Sequence, residues 1–125
     1  MPRNMSFALT TEQINRKEKD VTRRFGWWFL KPGDQLWAVE KAMGLKPGEK
    51  IKRLALIEVV SVRGEPLNAI TQEDCKREGF PDFTASCFVD MLQDHYECEP
   101  DAWCNRIEFK YINPAPSGSG EKEKE

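Results

Sequence analysis

The run Ile51 to Arg63 restricts the architecture more than any other stretch of this 125-residue chain. Leu54, Leu56, Ile57, Val59, Val60 and Val62 make it rich in strand-forming side chains with apolar positions on both faces. A strand of that length has to curve or take a bulge, as barrel strands do. Gln35 to Glu40 sets Leu36 and Ala38 against Trp37 and Val39, which reads as a second strand, apolar on both sides and so buried. Asn105 to Ile112 puts Ile107, Phe109 and Tyr111 on one side and Arg106, Glu108 and Lys110 on the other, a half-buried strand. Val21 onward is also strand-like.

Helix signals lie between these strands. Thr10, with Gln13 three residues on, predicts a helix reaching about Lys19. Thr71 with Asp74 predicts another, running to about Glu78 before Gly79 stops it. After Thr84, residues Phe88, Met91, Leu92 and His95 share one helical face. The order implies an α+β fold: a small curled sheet or barrel with short helices at its mouth. Residues 1–113 form the expected single domain. The segment from Pro114 to Glu125, P-A-P-S-G-S-G-E-K-E-K-E, has nothing to bury and reads as a disordered tail.

The formal charge of −2 argues against a surface that grips duplex nucleic acid throughout, because such affinity rests on many cation–phosphate contacts. A local basic groove remains. Arg16 to Arg24 carries five cations against Glu18 and Asp20, and Phe25, Trp27 and Trp28 follow directly. Cations suit phosphates and flat rings suit bases; the plainer alternative is a solvated helix end followed by core tryptophans. No N-terminal apolar run is long enough for a signal peptide and no stretch approaches a membrane span, so a cytoplasmic protein is expected, with free thiols at Cys75, Cys87, Cys98 and Cys104. His95 with Cys87, Cys98 and Cys104 lacks the paired spacing of zinc sites; no metal and no cofactor are expected, and Cys87 and Cys98 are expected to be buried.

Taken in order, three motifs resemble the ASCH domain, a member of the PUA-like β-barrel superfamily. Ser6-Phe7-Ala8-Leu9 leads through a helix to Lys19-x-x-Thr22-x-Arg24, similar to the G-x-K-x-x-T-x-R signature; Lys17 stands at the signature's glycine. Lys31-Pro32-Gly33-Asp34-Gln35-Leu36 resembles the family's approach to a strand. Ile57-Glu58-Val59, a helix containing Glu78 and the last strand, Ile107-Glu108-Phe109, complete the series. The resemblance covers about residues 5 to 112 and implies binding of RNA or a modified nucleoside.

One bacterial branch of that family removes the acetyl group of N4-acetylcytidine with a lysine, a threonine and a glutamate. By resemblance these fall on Lys19, Thr22 and Glu78. Thr22 would be the nucleophile, and Lys19 the base once its pKa is lowered by burial or neighbouring cations. Arg16, Arg23, Arg24, Trp27 and Trp28 are the candidate contacts for a nucleoside or nucleic acid; the adjacent tryptophans, on a strand, would point one inward and one outward. Three readings follow: a binding module, an amidohydrolase and, more remotely, a ribonuclease.

Overall fold

The computed structural model describes residues 2–42 and 45–112; the tail assigned to Pro114 to Glu125 lies outside them. Five strands, β1 (Arg3–Ser6), β2 (Val21–Arg24), β3 (Gln35–Val39), β4 (Arg53–Pro66) and β5 (Trp103–Ile112), form one mixed sheet in the order β1-β3-β4-β5-β2. It curls into a half-barrel. β1 runs parallel to β3, and every other pairing is antiparallel. Among the described residues three α-helices accompany it, α1 (Thr11–Asn15), α2 (Gln72–Arg77) and α3 (Ala85–Tyr96), with two single turns of 3-10 helix at Ala8–Thr10 and Leu67–Ala69. This is the small α+β barrel fold that the sequence predicts.

β4 is the central strand, and its bulge shapes the site. Val59 pairs with Phe109 and Ser61 with Glu108, so Val60 has no partner and is exposed. One extra residue reverses which side chains face inward. Before the bulge, Ile57 and Val59 fill the core; beyond it, Val62 packs there, opposite Ile107. Glu65 is thereby turned to the face that carries Arg23 and Arg106.

The interior divides into two apolar clusters. Met5, Phe7, Ile14, Leu36, Ile57, Ile107 and Phe109 lie inside the sheet's curve. Leu67, Ile70, Cys75, Phe88, Val89 and Leu92 join α2 to α3. Thr71 and Thr84 cap these helices, their hydroxyls accepting from the Asp74 and Cys87 amides at 3.1 Å. Gly79 follows α2 with φ +99°, and a Cβ there would lie 2.7 Å from Gln13 Cγ, so both backbone and packing require glycine.

α1 stops well short of Lys19, and Thr10 makes no side-chain cap. Thr11 bonds back instead, its hydroxyl donating to Phe7 O at 3.0 Å. After α1 the Glu18 amide donates to Gln13 O and the Lys17 amide to Ile14 O, the pairing of a Schellman motif. Lys17 holds its left-handed position, φ +58°. The signature glycine therefore corresponds to a position with a conformational demand, and here lysine meets it.

Candidate functional site

β2 separates its neighbours by alternation. Thr22 stands opposite Ile107 and Arg24 opposite Asn105 on the inner face, whereas Arg23 stands opposite Arg106 on the other. Lys19 precedes the strand, and Glu78 ends α2 beside it. Lys19 Nζ donates to Glu78 Oε1 at 2.7 Å and to Glu78 O at 2.9 Å; Arg23 Nη1 donates to Glu78 Oε2 at 2.9 Å. Both carboxylate oxygens thus hold a cation, with Lys19 3% and Glu78 2% exposed. Burial pushes the Lys19 amine down from the usual lysine range, while the Glu78 carboxylate pulls the other way.

A second layer of charge secures Arg23. Its Nη2 donates to Glu65 Oε2 at 2.7 Å and to Asp74 Oδ2 at 2.6 Å, and Arg106 grips Asp74 through two bonds, at 2.8 and 3.1 Å. Hydrogen bonds from Arg106, opposed by burial and aided by Arg23, hold the Asp74 carboxyl well below the usual carboxylate range. Apart from Arg23 Nε, which has no partner, these paired groups satisfy the condition for burying charge.

Above the Lys19–Glu78 pair lies a cavity of about 150 Å³ at the junction of the two apolar clusters. Lys19, Thr22, Arg23, Arg24 and Glu78 line it together with Phe7, Phe80, Phe88, Met91, Leu92 and Tyr96. Arg24 Nε donates to Thr22 Oγ1 at 3.0 Å, and its guanidinium lies 4.5 Å from the Phe7 ring centroid. His95, expected on a covered helix face, is exposed and sits on the cavity's rim.

The structure thus brings Lys19, Thr22, Arg23, Arg24 and Glu78 to one cavity, but not Arg16, Trp27 or Trp28. Arg16 is on the surface beside Glu18, at 3.4 Å. β2 ends at Arg24, so the tryptophans are not on a strand. Asn105 Oδ1 accepts from the Trp27 amide at 2.8 Å, and the Trp27 ring packs against the inner cluster and Phe29 while Trp28 faces solvent. The supporting acids Glu65 and Asp74 and their partner Arg106 escaped the sequence reading. Asp74 carried only a helix-start signal, and Arg106 alternated as if solvated.

All four cysteines are free thiols; Cys75 and Cys104 are buried, whereas Cys87 is exposed and Cys98 half-buried, unlike the expected burial of that pair. Burial pushes the Cys104 thiol up to about 11. Among the described residues, no group of three or more His, Cys, Asp or Glu is arranged to hold a metal ion, and no helix is long and apolar enough to cross a membrane.

Curled sheet and short helices define a small α+β half-barrel. More particularly, the fold is that of the ASCH domain: the chain is similar to an ASCH domain from Lactobacillus crispatus JV V101, with TM-score 0.65 and 17% identity over 87% of this chain and 78% of that one. A protein of Enterococcus faecalis V583 from the DUF984 family aligns with TM-score 0.61 and 16% identity over 90% of this chain and 77% of that one. A hypothetical protein aligns with TM-score 0.64 and 19% identity over 90% of this chain and all 100% of that one. No protein-family model and no curated protein matches the sequence.

Proposed function

We propose that this domain binds a nucleobase, as a free or modified nucleoside or within single-stranded RNA, in the cavity above Lys19 and Glu78. The observation that carries this reading is the cavity's division into apolar walls and a polar floor. Phe80, Phe88, Met91 and Leu92 offer contact to a flat ring, while Thr22, Lys19 and Glu78 offer a hydroxyl, an ammonium and a carboxylate to its polar edge. A volume of about 150 Å³ suits a base better than a whole nucleoside, leaving sugar and phosphate at the mouth. The ASCH fold and the K-x-x-T-x-R resemblance support the same reading.

Calorimetric titration with cytidine, uridine, adenosine, guanosine and N4-acetylcytidine tests it. Thr22→Val keeps the side-chain shape and removes the hydroxyl; affinity for the bound nucleoside should fall about tenfold, the worth of a buried hydrogen bond. Equal affinity in parent and variant would remove Thr22 from the site, and no binding by the folded parent would remove the reading.

A second reading, amidohydrolysis of an N4-acylated cytidine, draws on the buried Lys19. Burial makes its amine easier to deprotonate; a neutral amine lining the same cavity as Thr22 would take the hydroxyl proton as the oxygen attacks the acyl carbon and pass it to N4 of the departing cytidine as the C–N bond breaks, and water would then release the acid from Thr22. Incubation with N4-acetylcytidine, followed by chromatography for cytidine, checks it. Cytidine formed by the parent and not by Thr22→Val would place the threonine in the chemistry; no cytidine from the parent leaves binding alone.

A further inference from the structure

The charges around the cavity are unequal in one respect. Lys19, Arg23 and Arg106 each hold a carboxylate of Glu65, Asp74 or Glu78, so the buried network contains three cations and three acids. Arg24 stands outside this balance. Among the described residues its guanidinium makes no ion pair: Nε donates to Thr22, the plane lies over Phe7, and neither terminal nitrogen makes a hydrogen bond. It is also shallower, since Lys19, Thr22 and Glu78 are buried, Arg24 is partly exposed and His95 on the rim is exposed.

An unpaired guanidinium fixed by a neutral hydroxyl and an aromatic face is preorganised for an oxyanion. Its two terminal donors match the spacing of two oxygens on one phosphate. Glu78 makes no hydrogen bond to it: its two oxygens accept from Lys19 and Arg23, so its charge reaches Arg24 only through space.

Building on the nucleobase reading, we infer that Arg24 forms an anion subsite at the cavity mouth for the phosphate attached to the bound base, so that the ligand is a nucleotide rather than a nucleoside. A free 5′-mononucleotide and one residue of an RNA strand share this chemistry.

The test compares dissociation constants for the best-bound nucleoside, its 5′-monophosphate, ribose 5-phosphate and a twelve-residue single-stranded RNA, with the parent and with Arg24→Gln and Arg24→Lys. The monophosphate should bind the parent at least tenfold tighter than the nucleoside. That ratio should collapse in Arg24→Gln and recover partly in Arg24→Lys, which restores the charge but not the fork. Near-equal binding of nucleoside and monophosphate by the parent overturns the subsite without any variant. So does a ratio unchanged in a folded Arg24→Gln protein.

Ribose 5-phosphate keeps the two inferences distinguishable. If it binds the parent in an Arg24-dependent way and no base improves it, the subsite stands and the base pocket falls. If nothing binds, both fall. Between the two sources, RNA binding more tightly than the monophosphate and weakening steeply with salt identifies a strand; a shallow dependence and no gain from length identify the free nucleotide.

Discussion

Lys19 to Arg24 and Phe25 to Phe29 adjoin in sequence and reverse the usual division between inside and outside. The first segment takes Lys19 and Arg23 into the interior; the second leaves the chain's sheet and puts Trp28 52% and Phe29 50% exposed. The difference teaches that partners, not polarity, decide burial here. Glu78 and Asp74 wait beside β2 with carboxylates placed for the cations, so those charges lose water but gain bonds of 2.6 to 2.9 Å. Beyond Arg24, Gly26 turns the backbone at φ +86° and Trp27 takes the inward position, leaving Trp28 without one.

Removing the shared acid strains this contrast most. Glu78→Ala strands Lys19 and loosens Arg23, and breaking a buried pair of this kind costs about 3–5 kcal/mol. Urea unfolding should show that loss. A change below about 1 kcal/mol would mean that the cations reach water and that the buried side of the comparison is wrong.

Acid attacks the same network from its second layer. Asp74 has a lower folded than unfolded pKa, so the stability it contributes is fully present above the unfolded value, about 4, and is lost as pH falls below it. Melts between pH 5 and pH 2 should steepen below about pH 4, with Asp74 supplying at most about 1.4 kcal/mol per pH unit. Asp74→Asn should start less stable and respond less to acid in that window. An equal slope in parent and variant would assign the acid sensitivity to other carboxylates.

Lys17→Gly works in the opposite direction. A left-handed residue with a Cβ costs about 1–2 kcal/mol, against about 0.4–1 kcal/mol for the freer unfolded chain that glycine brings. A net gain of about 0.5–1 kcal/mol in urea unfolding is expected, with the loop before Lys19 otherwise unaltered. A loss would mean that the Lys17 side chain contributes a contact outweighing its backbone strain.

These outcomes bear on what the sequence could reveal. The long strand, the capped starts of α2 and α3 and the alternation of β5 are local, and each was legible because an apolar run, a hydroxyl, a glycine or a period of two sufficed; for the long strand, a curve or a bulge stayed open. Lys19, Thr22, Arg24 and Glu78 were legible only as a motif in order; nothing near them in sequence shows that Glu78 closes on Lys19 across 59 positions. Arg106 and Glu65 were not legible. Their burial depends on a register that one unpaired residue, Val60, shifts halfway along β4. The aromatic segment misled for a related reason: composition marked Trp27 and Trp28 as rings near cations but not that the strand ends at Arg24.

Trp28→Ala completes the contrast with the smallest effect. The ring is more than half exposed and does not line the cavity, so its removal should change unfolding stability by no more than about 0.5 kcal/mol. Nucleoside affinity should match the parent's within experimental error, whereas Thr22→Val, two positions before Arg24 on β2, loses about tenfold. The pair sets hydroxyl against ring in one titration. A Trp28→Ala protein that is folded yet binds tenfold more weakly would shift recognition from the cavity to the surface loop, and the aromatic segment would then be the site despite its distance from the buried charges.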